Sequence, residues 1–100
     1  MSIRLRANGR NFRRSGMDTD FYVGGSSFST ILDHSQIPQS IIDKMRNAYL
    51  STDSAEISAS DAKILARGIM IAIRSLKWYD SPYNKLCNWL MVCGGFRFND

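Results

Sequence analysis

The sequence lacks any hydrophobic run long enough to cross a membrane, which takes about 20 apolar residues in a helix. Its longest uninterrupted apolar stretch covers only residues 68–73 and is bounded by Arg67 and Arg74. The basic N-terminus is not followed by the apolar stretch of a secretory signal. We therefore expect a cytoplasmic protein that makes no contact with a membrane.

Cysteine and histidine are scarce, with two cysteines and one histidine in the chain. Cys87 and Cys93 are six residues apart in a predicted helix. Six residues turn a helix by about 600°, so the two thiols point in different directions and no disulfide between them is expected. Free thiols are typical of a cytosolic protein. His34 has no second ligand at a metal-binding spacing, so neither a metal nor another cofactor is predicted. A Cys–His nucleophilic pair, whose members need only meet in space, stays open as an alternative.

Acidic residues are absent from the first 17 positions, and this segment carries five arginines: Arg4, Arg6, Arg10, Arg13, Arg14. The rest of the chain has eight Lys and Arg against nine Asp and Glu, so the net charge of +4 comes from this segment. The arginine guanidinium binds phosphate and carboxylate groups through two hydrogen bonds at once. Three interpretations fit this charge pattern: a solvated basic arm that aids solubility, a contact with phosphate or nucleic acid, and a contact with an acidic protein surface.

Short alternations of apolar and polar residues predict strands near both ends of the chain. Residues 2–7 alternate with a period of two, and residues 21–23 form a short apolar strand candidate. Residues 96–98 alternate again and predict a last strand, which pairs either with residues 3–6 or with residues 21–23.

The length of 100 residues fits a single domain. We predict an α+β fold, with three to four helices packed with a small sheet formed largely by the N- and C-terminal segments. In this interpretation residues 1–20 are an Arg-rich strand and loop segment, and residues 21–100 are a mainly helical core.

Apolar residues at helical spacing, together with capping residues, predict where the helices begin. The first helix is expected to be capped by Ser26 or Ser27, and the second to have Pro38 at its first position. The last helix is expected to have Ser81 as its cap and Pro82 as its first residue. One face of that helix is predicted to be buried: Tyr83, Leu86, Cys87, Leu90, Cys93.

The third predicted helix, which Ser58 or Ser60 caps, is the most apolar of the four. Beyond its first turn its charged side chains are three cations on one narrow face: Lys63, Arg67, Arg74. We therefore expect this helix to be central and packed by neighbours on several sides. Gly68 costs about 1 kcal/mol relative to alanine inside a helix, which indicates a close helix crossing at this position.

A candidate phosphate site lies where the second strand passes into the first helix, at Gly25, Ser26 and Ser27. Glycine permits close approach of the backbone, serine offers a hydroxyl, and a helix start presents free N–H groups. The arginines of the N-terminal segment, Arg4 and Arg6 included, are expected to reach the same ligand. The spacing matches no established phosphate-binding motif, so a turn with an ordinary helix cap is the alternative.

Aromatic residues cluster in sequence around the turn between the last two helices, at Trp78, Tyr79, Tyr83 and Trp89. Exposed aromatic side chains stack on nucleobases, and Trp78 and Tyr79 are the predicted contacts. Core packing or an oligomer interface are the alternatives for this cluster.

The sequence favours neither a DNA-reading helix-turn-helix nor an enzyme. The loop over residues 51–58 is longer than the turn of about 3–4 residues in that motif. The acidic pair Asp18 and Asp20, and the pair Asp33 and His34, come without a recognisable nucleophile or oxyanion motif.

We therefore predict a small non-enzymatic binding module for a phosphate-bearing ligand, with a nucleotide or nucleotide-derived signal as the ligand class. A phage-encoded accessory or anti-defence protein is a setting that fits such a module. The alternatives are a protein–protein inhibitor or adaptor, which includes a homo-oligomer, and a nonspecific nucleic-acid binder that uses the Arg-rich N-terminal segment.

Overall fold

A computed structural model describes residues 2–8, 19–50 and 56–99 of the chain. These residues form four helices and one four-stranded sheet, which confirms the α+β class. In chain order the elements are β1 (Ser2–Ala7), β2 (Asp20–Gly24), α1 (Gly25–His34), α2 (Gln39–Leu50), β3 (Glu56–Ile57), α3 (Ala59–Leu76), α4 (Tyr83–Val92) and β4 (Phe96–Asn99).

The sheet has the strand order β2-β1-β4-β3, and every neighbouring pair is antiparallel. β4 pairs with β1, with Leu5 opposite Phe98 and Arg6 opposite Arg97. This confirms the first of the two predicted pairings for the last strand. The sheet therefore joins the two ends of the described chain at its centre.

Side chains alternate between the two faces of the sheet. Leu5, Val23 and Phe96 point to one face and are buried under the helices. We call the opposite face the outer face, and its described side chains are Arg4, Arg6, Asp20, Tyr22, Glu56 and Arg97.

The core lies between the inner face of the sheet and the helices. Trp89 of α4 packs between Phe21 of β2 and Phe96 of β4, with ring centroids 6.0 and 6.1 Å away. Phe28 of α1 meets Phe98 of β4 at 6.4 Å. The face of α4 that the sequence predicted as buried is confirmed in full: Tyr83, Leu86, Cys87, Leu90, Cys93.

The starts of α1 and α2 differ from the predictions by one to three residues. α1 begins at Gly25 with Gly24 as its N-cap, so Ser26 and Ser27 lie inside the first turn and neither is the cap. Pro38 precedes α2 rather than opening it, and its carbonyl oxygen accepts hydrogen bonds from the backbone N–H groups of Ile41 and Ile42 at 3.0 and 3.3 Å. Both corrections arise because several adjacent residues in these segments are acceptable at a helix start.

The starts of α3 and α4 show one correct and one wrong assignment. Ser58 caps α3, and its hydroxyl accepts a hydrogen bond from the N–H of Asp61 at 3.2 Å. Ser81 does not cap α4, because its hydroxyl donates to the carbonyl of Trp78 at 2.7 Å. Pro82 takes the N-cap position instead of the first helical one.

The prediction that α3 is packed by neighbours on several sides is confirmed, because α1, α4 and the connection between α1 and α2 all contact it. Its exposed face, however, is wider than the narrow cationic face that the sequence predicted. Ile64, Met70 and Ile71 are 36%, 47% and 40% exposed. The domain is a layer of helices on one sheet, so α3 keeps one side in water although its sequence is apolar on most sides. None of the helices formed by the described residues is both long enough and apolar enough to span a bilayer.

Gly68 marks a close approach, but not the helix crossing that the sequence predicted. A Cβ atom added at Gly68 would overlap Cγ2 of Ile37 and lie 3.2 Å from Cβ of Ser35. Both residues belong to the connection between α1 and α2, which crosses over α3 at this point.

We expect Gly68→Ala to destabilise the domain by about 1–3 kcal/mol, the usual cost of forcing atoms into a packed site. In an Ile37→Ala background the overlapping methyl group is gone, and alanine is about 1 kcal/mol better than glycine inside a helix. There the same substitution should be neutral or stabilising. Urea denaturation of the four proteins measures both effects. Equal losses in the two backgrounds would contradict the role assigned to Ile37.

Candidate ligand-binding site

A cleft of about 210 Å³ lies beside β2, which is an edge strand of the sheet. It is lined by the end of β2, the first turn of α1 and the connection from α3 to α4: Tyr22, Val23, Gly24, Ser27, Trp78, Ser81, Pro82, Tyr83. The cleft brings together Ser27 and Trp78, which the sequence assigned to two separate candidate sites.

A pair of hydroxyl groups holds one wall of the cleft together. The Oγ of Ser27 donates to the carbonyl oxygen of Gly24 at 3.1 Å and lies 2.7 Å from the hydroxyl of Tyr83. Because serine has a single proton to donate, Tyr83 is the donor in the second bond. Burial raises the pKa of Tyr83, which keeps this phenol protonated and able to donate. The two bonds link β2, α1 and α4.

The aromatic cluster predicted from the sequence divides into three environments. Trp78 is partly buried and lines the cleft, with its ring 6.2 Å from that of Tyr83 at an interplanar angle of 33°. Tyr79 is 59% exposed and lies outside the cleft lining. Trp89 is a core residue. Tyr22, which the sequence analysis did not select, is also 59% exposed and adds a third ring to the cleft.

The residues of the predicted Gly-Ser phosphate site face different surroundings. Gly25 lines a separate cavity of about 50 Å³ together with apolar residues such as Phe28 and Leu32. Ser26 is exposed, and its carbonyl accepts a hydrogen bond from Thr30 at 3.1 Å. Of the three, only Ser27 contributes to the cleft.

The predicted arginines fall into two groups. Arg4 and Arg6 lie on the outer face of the sheet, where Arg4 is opposite Tyr22 in register and Arg6 is opposite Asp20. The Nε of Arg6 is 3.2 Å from Oδ1 of Asp20. The three remaining predicted arginines lie outside the described residues: Arg10, Arg13, Arg14.

The outer face carries one further arginine that the sequence analysis missed. Arg97 is exposed and lies directly opposite Arg6 across the β1–β4 pair. The alternation of Phe96, Arg97 and Phe98 already implied that Arg97 points away from the core. Its proximity to Arg6 depended on the register, which alternation alone does not provide.

The thiols and the histidine do not form a nucleophilic pair. Cys87 and Cys93 are both buried and free, and their thiols lie 3.5 and 3.4 Å from the carbonyl oxygens of Ala66 and Leu90. Burial raises the pKa of Cys87 to about 11 and also raises the pKa of Cys93, so both thiols stay protonated at neutral pH. His34 is exposed, with its Nδ1 3.0 Å from the carbonyl oxygen of Thr30.

The aromatic residues of the cleft and the arginines of the outer face suit the binding of a ligand by ring stacking and by charge. The described part of the chain holds no cluster of three or more His, Cys, Asp or Glu side chains that could ligate a metal ion. Comparison of the chain with protein-family models, with curated proteins and with solved structures gives no match.

Proposed function

We propose that the protein is a non-enzymatic binding module for a phosphate-bearing ligand, and that this ligand is a nucleotide. The observation that carries the proposal is the cleft beside β2. It places the rings of Tyr22, Trp78 and Tyr83 around one space, next to a sheet face that carries arginines. The two free thiols fit the cytoplasmic location that we propose with it.

The size and lining of the cleft suit a single nucleobase. Pockets that enclose a whole drug-sized ligand measure about 300–1,000 Å³, and this cleft measures about 210 Å³. A base would stack on the exposed ring of Tyr22 at the cleft, whereas the sugar and phosphate stay outside. Stacking of a base on an aromatic side chain contributes about 1–3 kcal/mol.

The phosphate group would meet the outer face of the sheet. Arg4 lies opposite Tyr22, and directly opposed residues of an antiparallel pair have Cβ atoms about 4.5–5.5 Å apart. A nucleotide whose base contacts Tyr22 therefore has its phosphate within reach of the Arg4 guanidinium. Ser27 shapes the cleft through its bonds to Gly24 and Tyr83 rather than by donating to the ligand.

The test compares two equally exposed tyrosines. Tyr22→Ala removes a ring that lines the cleft, and Tyr79→Ala removes one outside it. With a nucleotide identified from a thermal-shift panel of mono-, di- and cyclic nucleotides, Tyr22→Ala should weaken binding about 5- to 150-fold, the equivalent of one stacking contact. Tyr79→Ala should leave the affinity unchanged.

Isothermal titration calorimetry gives the dissociation constants, and thermal denaturation of the free proteins confirms that both variants fold. If no nucleotide in the panel binds, or if the two substitutions weaken binding equally, the cleft is not a nucleotide site.

A second candidate function is a protein adaptor or homo-oligomer. It is favoured by the exposed apolar side chains on the two helices that pack together: Ile64, Met70, Ile71, Met91, Val92. One chain has a mass of 11.3 kDa, so an oligomer should have a larger mass in solution. Light scattering after size-exclusion chromatography measures this mass directly.

A further inference from the structure

The outer face of the sheet holds a row of four charged residues, one from each strand. In the register of the sheet, this row consists of Asp20 of β2, Arg6 of β1, Arg97 of β4 and Glu56 of β3. The two cations occupy the centre of the row and the two acids its margins. A second row beside it contains Tyr22 and Arg4.

The two central cations are adjacent without an anion between them. Like charges directly opposite each other across a strand pair are destabilising. Asp20 bonds Arg6 from one side, and Glu56 lies opposite Arg97 from the other. Within the described residues, however, no ion pair or hydrogen bond reaches the guanidinium of Arg97. An anion from outside the protein that spans Arg6 and Arg97 would remove the repulsion.

The outer face of the sheet and the cleft meet at Tyr22. Tyr22 lines the cleft and also stands on the outer face opposite Arg4. Arg97 is two strands away from Tyr22 and one row further along, which puts the two backbones about 12 Å apart. A nucleotide with its base in the cleft and its phosphate near Arg4 does not extend to Arg97. A strand of about three nucleotides does extend to Arg97. Proteins bind single strands in this way, with bases stacked on aromatic rings and the backbone running along cations in one groove.

We propose that the ligand is single-stranded nucleic acid, with one base in the cleft and the backbone crossing the outer face over Arg4, Arg6 and Arg97. This inference rests on the proposed base-binding role of the cleft. A duplex keeps its bases stacked inside and offers none to the cleft, so it binds more weakly.

The first measurement is fluorescence anisotropy with 5′-labelled oligothymidylate and oligouridylate, one to six nucleotides long. Affinity should rise with length and level off at about three nucleotides. Three phosphate contacts on a single strand predict a slope near −2 in a plot of log affinity against log salt concentration. An unlabelled duplex should compete poorly.

The second measurement uses two Arg→Gln variants. Arg97→Gln removes a cation from the row, and Arg74→Gln removes an equally charged, exposed side chain from α3. Arg97→Gln should lower the affinity for the trinucleotide about tenfold, the loss of one charge-assisted contact. The plot of log affinity against log salt concentration should also become shallower, by about 0.7 in slope. Binding of a mononucleotide should not change, and Arg74→Gln should change none of these values.

The outcomes separate this inference from the proposed function. If a mononucleotide binds as tightly as the trinucleotide and remains sensitive to Tyr22→Ala, the cleft is a nucleotide site and the single-strand inference is wrong. It is also wrong if the duplex binds equally well, or if Arg74→Gln weakens binding as much as Arg97→Gln. If neither mononucleotide nor oligonucleotide binds, the proposed function fails and this inference fails with it.

Discussion

Replacing Trp89 by alanine should lower the free energy of unfolding by about 3–5 kcal/mol, the usual cost of truncating a large buried side chain. Trp89 is 2% exposed and is one of the largest fully buried side chains. Its ring contacts Phe21 in β2 and Phe96 in β4, two strands that are not neighbours in the sheet. The substitution leaves a cavity where α4 packs on the sheet.

Chemical denaturation followed by circular dichroism measures this loss. Domains of this kind are stable by about 5–15 kcal/mol, so Trp89→Ala removes a large part of the total. Trp89→Phe keeps a ring in the same site and should lose less. A loss below about 1 kcal/mol for Trp89→Ala would contradict the packing of α4 on the sheet.

Gly95→Ala should destabilise the domain by about 2 kcal/mol or more, through backbone strain and a steric clash. Gly95 has a φ of +95°, a conformation that side chains disfavour. A Cβ atom there would also lie 2.8 Å from the carbonyl oxygen of Ile57 and 3.2 Å from the backbone nitrogen of Ala59. The junction of β3 and α3 would have to move to accept it.

Gly94→Ala is the matched control, because Gly94 has a φ of +69° and is exposed. It carries the backbone strain without the clash and should cost about 1 kcal/mol. Thermal denaturation resolves the difference, since 1 kcal/mol shifts the midpoint by about 4–8 °C in a domain of this size. Equal midpoints for the two variants would show that the approach of Ile57 does not restrict position 95.

The elements with a strong local pattern could be predicted from the sequence. The strict alternation over residues 2–7 predicts β1 with its observed bounds, and the apolar spacing of α4 predicts its buried face. The width of the exposed face of α3 could not be predicted in this way. Periodicity shows which residues are apolar, but not whether the chain supplies neighbours for all of them, and Ile64 and Met70 remain exposed.

The candidate site could be predicted only in pieces. Ser27 and Trp78 were both selected from the sequence, but as members of two sites, because only the packing of α4 against β2 and α1 brings them together. Arg97 was missed because its position beside Arg6 follows from the pairing of β4 with β1. That pairing was one of two alternatives for a strand of only a few residues.

The pairing of β1 with β4 also bears on how the chain folds. Arg4 pairs with Asn99, so the centre of the sheet closes a loop that includes almost the whole described chain. Contacts between residues that are close in sequence, such as those joining α3 and α4, have little loop entropy to overcome, whereas this strand pair has the most. We therefore expect the β1–β4 ladder to form late in folding. Opening this ladder would separate the pair β2-β1 from the pair β4-β3. We expect these two strand pairs and the helices packed on them to fold and unfold as one cooperative unit.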